Sequence, residues 1–313
     1  MDLLQLKKAT AKVQPNHSML FYGPPKMGKT RLVGTAAKIK EISRIWWFDL
    51  ENGIETLLNL GLTDEELAKI VVIKVSDTRD NPIAIETMLK ALTSKNVIDI
   101  CETHGKVDCA ECKKSSSGFI KFRLGDCTHN ELIVIDSGSQ LGDSAMGAAC
   151  LGKPNMFKPT FDEYGMVNKW LGDCCSVIQQ CANTNFVVIT HEIALEDDEG
   201  KDKIVPLMGS KQFSMKCAKF FGTVVYVHKK MNKHTAGSSS TYRSDLSTGS
   251  RINVALENTK DPTMYDLLVS GGVIRTSSTA EAAHVPQEPV VAEASKPAPS
   301  LAERLAATRA AKT

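Results

Sequence analysis

Apolar runs of strand length alternate along this chain with stretches whose apolar residues recur at helical spacing. Ser18-Met19-Leu20-Phe21-Tyr22 is the first run, and from Thr30 onward Leu32, Val33, Ala36, Ala37 and Ile39 follow with helical period. Arg44-Ile45-Trp46-Trp47-Phe48 is the second run, closing on Asp49-Leu50-Glu51, and Ile70 to Val75 is the third. Pro82 suits a first helical turn, and Ile85, Met88, Leu89 and Leu92 then share one side. Glu131-Leu132-Ile133-Val134-Ile135-Asp136-Ser137 reads as another buried strand. Thr160 to Cys181 is the clearest amphipathic helix, with Val167, Trp170, Leu171, Cys174 and Ile178 on its stripe. Asn185 to His191 is a strand, Phe213 to Phe221 a helix and Val224 to Val227 a strand, with a polar hairpin beyond it returning through 252–256. Strands that are apolar throughout are covered on both faces, so the pattern predicts an α/β fold: a mostly parallel sheet with helices on both sides.

Between these elements the texture changes. Residues 100–130 are rich in Cys, His, Lys, Ser and Gly and read as an insertion. The Gly/Ser/Ala/Pro stretch 138–159 and the segment 192–209, with Glu196-Asp197-Asp198-Glu199 in its middle, read as long surface loops. Residues 1–17 form a lead-in and 18–275 the core domain. From Thr276 the composition turns to Ala, Pro, Glu and Ser, too poor in apolar groups to build a core, so 276–299 reads as a disordered linker. Ser300-Leu301-Ala302-Glu303 is a capping-box pattern that opens a short helix over 300–313.

Composition narrows the class. The chain has 313 residues and a net charge of +2, so any nucleic-acid surface must be local. No apolar run reaches bilayer-spanning length, and the N-terminal segment lacks the apolar region and cleavage site of a signal peptide. Nine cysteines, an odd number, then read as reduced thiols or metal ligands of a cytoplasmic protein.

Gly23-Pro24-Pro25-Lys26-Met27-Gly28-Lys29-Thr30 fits G-x-x-x-x-G-K-[ST], set between a strand and a helix. Such a loop turns its backbone N–H groups inward around an anion, and the helix start adds partial positive charge. The loop, with Arg31 beside it, is therefore expected to bind a nucleoside triphosphate, Lys29 on the phosphates and Thr30 on Mg²⁺. Asp136 ends an apolar strand, as a carboxylate that holds Mg²⁺ through water must. Glu51, just past a strand end, is the candidate for orienting an attacking water, with Asp49 as its rival. His191 ends another strand on the same edge, where it could contact the terminal phosphate.

Cys101-x-x-His104 followed by Cys109-x-x-Cys112 offers two close pairs of soft ligands for Zn²⁺, with Cys127 and His129 as possible substitutes. His228-Lys229-Lys230, Lys233 and His234, with Tyr242 and Arg243, form the densest local basic cluster; cations beside an aromatic suit single-stranded nucleic acid, and a solvated hairpin tip explains them equally.

The loop at 23–30, Phe48-Asp49-Leu50-Glu51, Ile133 to Ser137 and Val188-Ile189-Thr190-His191 stand in the order of the RecA-type ATPase core. The chain resembles the compact phage RecA-like proteins, the Sak-type single-strand annealing and recombination ATPases also described as phage AAA ATP-binding proteins. Phe161-Asp162-Glu163-Tyr164-Gly165 adds to the likeness, which covers roughly 18–275. The resemblance implies a Mg-dependent ATPase with Lys29, Glu51, Asp136 and His191 in catalytic roles, and DNA-binding loops at 138–159 and 192–209. It implies single-stranded DNA as partner, a homo-oligomer, and a location in the cytoplasm of a phage-infected bacterial host. The tail would serve a single-strand-binding protein or another replication partner. Two departures stand out: the second loop is acidic, and Leu256-Glu257-Asn258 occupy the stretch where bacterial RecA carries a lysine pair, so slow turnover is expected. An ATP-gated adaptor with little hydrolysis and a helicase- or packaging-type motor accessory are the competing expectations.

Overall fold

Strands apolar on both sides need cover above and below, and the computed structural model supplies it. It describes residues 17–274 except 79, 155, 198, 231, 232, 240–242, 252–255 and 258. In chain order the elements are β1 (Ser18–Tyr22), α1 (Lys29–Gly34), β2 (Arg44–Asp49), α2 (Glu55–Leu58), α3 (Asp64–Ala68), β3 (Ile70–Lys74), α4 (Ala84–Thr93), β4 (Ile98–Cys101), α5 (Ala110–Lys114), β5 (Phe119–Phe122), β6 (Glu131–Asp136) and α6 (Gly138–Ala149). They continue with α7 (Phe161–Gln180), β7 (Asn185–Thr190), β8 (Glu192–Glu196), β9 (Asp202–Pro206), α8 (Lys211–Cys217), β10 (Thr223–Lys230), β11 (Lys233–Gly237), β12 (Gly249–Ser250), β13 (Thr259–Lys260) and α9 (Met264–Leu268).

In space the main sheet runs β13-β11-β10-β1-β7-β6-β2-β3, with β12 on β10. From β10 to β3 every pairing is parallel; β11, β12 and β13 add an antiparallel margin. Alternate residues feed two cores. Leu20, Tyr22, Ile133 and Ile135 join the core under α4, α6 and α7, whereas Met19, Phe21, Leu132 and Val134 join the one under α1 and α9. The period of two along each strand thus divides one apolar run between two helical layers. The expected parallel sheet covered on both faces is what the chain builds.

Four local expectations are corrected. The stretch 138–149 is not loop but α6. Ser137 caps it by accepting the Gln140 N–H at 3.2 Å, and Leu141, Ala145 and Ala149 face the core. Its small residues serve close approach: a Cβ on Gly142 would stand 2.3 Å from the Gly209 nitrogen. The segment 192–209 is largely the β8–β9 hairpin, paired from Glu192↔Pro206 to Glu196↔Asp202. Asp197 closes its turn by accepting the N–H groups of Glu199 and Lys201, so the acidic run is a tip, not a loop lining. The hairpin after β10 returns at once through β11; of the stretch 252–256, where the return is expected, only Leu256 is described, and it is buried. The helix read from Phe213 to Phe221 starts at Lys211 and gives way to a single tight turn over Ala218–Phe220.

The Cys/His segment is more than a surface appendage. β4 and β5 pair antiparallel, and Ile98, Ile100 and Phe122 enter the main core, where Phe122 meets Trp46 and Phe48 edge-on. α7 follows the expected span and carries a capping box between Thr160 and Glu163. The lead-in up to residue 16, the linker 276–299 and the helix expected at 300–313 lie outside the described residues.

Gly142→Ala provides a test of the α6 packing. Alanine is the better helix former by about 1 kcal/mol, yet overpacking against the Gly209 backbone should give a net loss of about 1–3 kcal/mol in urea unfolding.

Candidate nucleotide-binding site

At the carboxyl ends of the parallel strands, β1 gives way to the loop 23–28 before α1 begins at Lys29. Gly23 and Gly28 have φ of +149° and +93°, and a Cβ on Gly23 would stand 2.1 Å from the Val227 carbonyl oxygen. Only glycine fits there. The Lys29 Nζ is buried and donates to the carbonyls of Gly23 and Pro24 at 2.9 and 2.8 Å. Burial pushes its pKa down to about 8, against the raising effect of Glu51 and Asp136.

The loop opens on a cavity of about 380 Å³. Of the residues expected there, Lys26, Gly28, Lys29, Thr30, Arg31, Glu51, Asp136 and His191 line it. Gly23 and Pro24 instead shape the loop through their carbonyls, Pro25 is exposed, and the Met27 carbonyl accepts a hydrogen bond from His234 Nδ1 at 2.8 Å.

Two side chains, one from the start of α1 and one from the end of β6, meet in this cavity. The Thr30 hydroxyl donates to Asp136 Oδ2 at 3.0 Å, across the end of β7. Asp136 is 2 % exposed. Burial pushes its carboxyl up to about 7, with the negative charges of Glu51 and Asp49 adding to the rise and the Thr30 hydrogen bond opposing it. A hydroxyl and a carboxylate side by side are the hard oxygen donors that Mg²⁺ prefers. Together with a glycine-shaped anion loop and a buried lysine, they fit a magnesium-bound nucleoside triphosphate.

Glu51 reaches the cavity through its own network. Ser137 Oγ donates to Glu51 Oε1, and His191 Nε2 lies 3.2 Å from the same oxygen. Burial works to raise the Glu51 pKa, but these two hydrogen bonds and the charges of His191 and Lys29 outweigh it, leaving the carboxyl below its ordinary value. Asp49 is fully buried, and its Oδ1 accepts the Gly53 N–H at 2.9 Å. It shapes the turn after β2, so of the two rivals Glu51 is the one that lines the cavity.

His191 is anchored behind the site. Its N–H donates to Ser139 Oγ at 2.9 Å, its carbonyl accepts the Leu207 N–H at 2.8 Å, and the Ser139 and Thr190 hydroxyls both turn to the Leu207 carbonyl. The foot of the β8–β9 hairpin is thereby tied to the histidine.

Sequence reasoning missed Thr56, Ser137, Ile189 and His234 as lining residues. Ser137 had a signal, since it directly follows Asp136. His234 had none: it reaches the loop only because β11 folds back along β10. The basic cluster is split accordingly. His234 lies on the phosphate loop and His228 stacks on Tyr226, while Lys229, Lys230 and Lys233 remain exposed at the hairpin tip. Arg243 pairs with Asp245, and Tyr242 is outside the described residues. Cys101, His104, Cys109 and Cys112 come together away from this cavity, with all four donor atoms within 4.8 Å of one another. Cys127 and His129 are not in that group; the Cys127 thiol donates to the Arg123 carbonyl, and burial pushes its pKa up to about 12.

The parallel sheet, the glycine-shaped loop with Lys29 and Thr30, and Asp136 facing them define the fold of a P-loop nucleotide-binding protein. Residues 15–254 match the AAA domain family AAA_24, and the chain belongs to that family. No curated protein matches the chain. Among solved structures it is similar to the RadB recombinase, at 14% identity over 74% of this chain and 84% of that one, with a TM-score of 0.37. It is also similar to an ATPase from the type III secretion system of pathogenic bacteria, at 13% identity over 86% of this chain and 61% of that one, with a TM-score of 0.39. Among the described residues no helix is long and apolar enough to cross a membrane.

The raised Asp136 pKa has a definite sign. The folded, nucleotide-free protein holds a proton there up to about pH 7 that the unfolded chain has released by about pH 4, so stability falls as pH rises through that window. Asp136→Asn should therefore exceed wild type in unfolding free energy at pH 8 by about 2–4 kcal/mol more than it does at pH 4. Chemical denaturation at both pH values reads this difference.

Proposed function

We propose that the chain is a Mg-dependent RecA-like ATPase of the phage recombination and single-strand annealing type, whose nucleotide state sets its grip on single-stranded DNA. The observation that carries the hydrolytic part is Glu51: a carboxylate at the cavity wall, with two hydrogen bonds that favour its charged form. It is suited to orient an attacking water and accept its proton. When bound, Mg²⁺ neutralises charge on the phosphate oxygens and Thr30 and Asp136 would hold it. Lys29 keeps its ammonium on loop carbonyls that it can exchange for phosphate oxygens without losing hydrogen bonds.

His191 links the site to the rest of the molecule. It shares Glu51 with Ser137 and is fixed through Ser139 and Leu207 to the β8–β9 hairpin. A change at Glu51 therefore reaches that hairpin through a short hydrogen-bonded path.

The DNA part rests on the segment between α6 and α7. Leu151 and Met156 are exposed there, and Phe161, at 96 %, and Tyr164 are exposed on the first turn of α7 that follows, with exposed Lys153 and Lys158 close by in sequence. Exposed aromatics among lysines suit stacked bases and a neutralised backbone. The acidic β8–β9 tip is unsuited to phosphates, so the 150–164 surface takes precedence over it. Slow turnover follows from the stretch 251–260. Leu256 is buried with its N–H on Ser238, and it cannot present a cation to a neighbouring subunit. A homo-oligomer and a partner held by the tail belong to the same proposal.

Three variants test this. Lys29→Ala should abolish ATP binding by calorimetry. Glu51→Gln should keep binding but lower turnover by about 100-fold or more. Phe161→Ala should weaken affinity for a labelled single-stranded oligonucleotide by about tenfold while leaving ATP affinity unchanged. Absence of oligonucleotide binding by the wild-type chain, with and without ATP, would overturn the DNA assignment and leave the nucleotide site standing.

A further inference from the structure

The Cys/His cluster is not used by the nucleotide site, and its geometry does not suit free thiols. Cys101, Cys109 and Cys112 Sγ lie 3.8, 3.7 and 3.4 Å from a single atom, His104 Nδ1. One imidazole nitrogen either carries one proton or offers one lone pair, so it cannot satisfy three thiols. A tetrahedral zinc with Zn–S of about 2.3 Å and Zn–N of about 2.1 Å sets its N···S edges at about 3.6 Å. The three observed separations straddle that value. No cysteine here is in a disulfide.

The surrounding backbone is shaped for the same purpose. Gly105, directly after His104, has φ of +71°, and Asp108, directly before Cys109, has φ of +54°. These two left-handed residues bend the chain twice within the segment that joins the ligand pairs, returning Cys109 towards Cys101. α5 then presents Cys112 one turn after Cys109. The three cysteines are buried yet form a separate small cluster, against which Phe119 is the one partly buried hydrophobic side chain packed among the described residues. Three thiols and a phenyl ring do not by themselves make a core that could hold this turn.

The turn also reaches the sheet. The His104 carbonyl accepts the Ser76 N–H at 3.0 Å, just past the end of β3, and the Gly105 carbonyl accepts the Thr87 hydroxyl at 2.8 Å on α4. Next to Ser76, the Asp77 carboxylate accepts from the Ala84 N–H, the Ser144 hydroxyl and the Gln140 amide, which places the start of α4 against α6. We propose that Cys101, His104, Cys109 and Cys112 bind one zinc ion, as three thiolates and a neutral imidazole, and that the ion fixes the turn holding the end of β3. Its role is structural, because four protein ligands close its shell and leave no position for water or substrate.

The test uses the full chain, purified in reducing buffer with no metal added. Elemental analysis should give about one zinc per chain, falling at least about fivefold in Cys109→Ser/Cys112→Ser. Cys127→Ser and His129→Ala should retain the full content, as should Lys29→Ala, which separates this centre from the nucleotide site. Stripping the zinc should lower the melting temperature by about 5–10 °C and adding zinc back should restore it. If the double variant does not fold, wild-type protein loaded with Co²⁺ decides: intense visible bands of a tetrahedral thiolate site support the centre, and a weak octahedral spectrum overturns it. A wild-type chain that neither carries zinc nor takes up zinc or cobalt, or a double variant that keeps its zinc, also overturns it.

Discussion

The Thr30–Asp136 hydrogen bond joins the start of α1 to the end of β6, over the intervening β7. Much of the cavity depends on that bridge. It requires a carboxylate at a position only 2 % exposed, and desolvation there is unfavourable enough to raise its pKa to about 7. A sheet apolar on both faces has no place for such a group except at the strand ends. The two buried cores thus confine the polar chemistry to one edge, and the fold and the site are one constraint seen at two scales.

The parts legible in the sequence were those set by local pattern. The apolar runs at 18–22, 44–49, 131–136 and 185–190 became neighbouring strands because each is apolar on both sides. The loop at 23–30 could be read because its glycines answer to backbone geometry rather than to distant partners. α6 was illegible for a physical reason: its Gly, Ser and Ala residues look like loop chemistry until the Gly209 backbone is seen lying against Gly142. The short β8 and β9 strands were hidden by the charged turn between them. His234 and Ser137 became site residues through tertiary placement, which no spacing rule encodes.

Around Glu51 the molecule concentrates competing demands on one carboxylate. Ser137 serves Glu51 with its hydroxyl hydrogen and caps α6 with its oxygen, so one side chain belongs both to the site and to a helix start. His191 likewise faces Glu51 with its ring and holds the β8–β9 hairpin with its main chain. Shared groups of this kind couple elements without any long chain of contacts. They also mean that substitutions at Ser137 and His191 act on packing as well as on chemistry, so their effects will not add simply.

The Cys101–Cys112 turn meets the end of β3 and α4 through the carbonyls of His104 and Gly105, and main-chain groups are indifferent to the side chains that neighbour them. Selection on that junction therefore acts on only a few positions. Gly105 is one of them, because a Cβ would stand 2.5 Å from the Lys74 carbonyl oxygen. Lys106 beside it can drift, whereas Asp108, with φ of +54°, is confined to residues that tolerate a left-handed backbone. Over evolutionary time the positions between the four cluster residues and Gly105 can diverge while the attachment to the sheet stays unchanged.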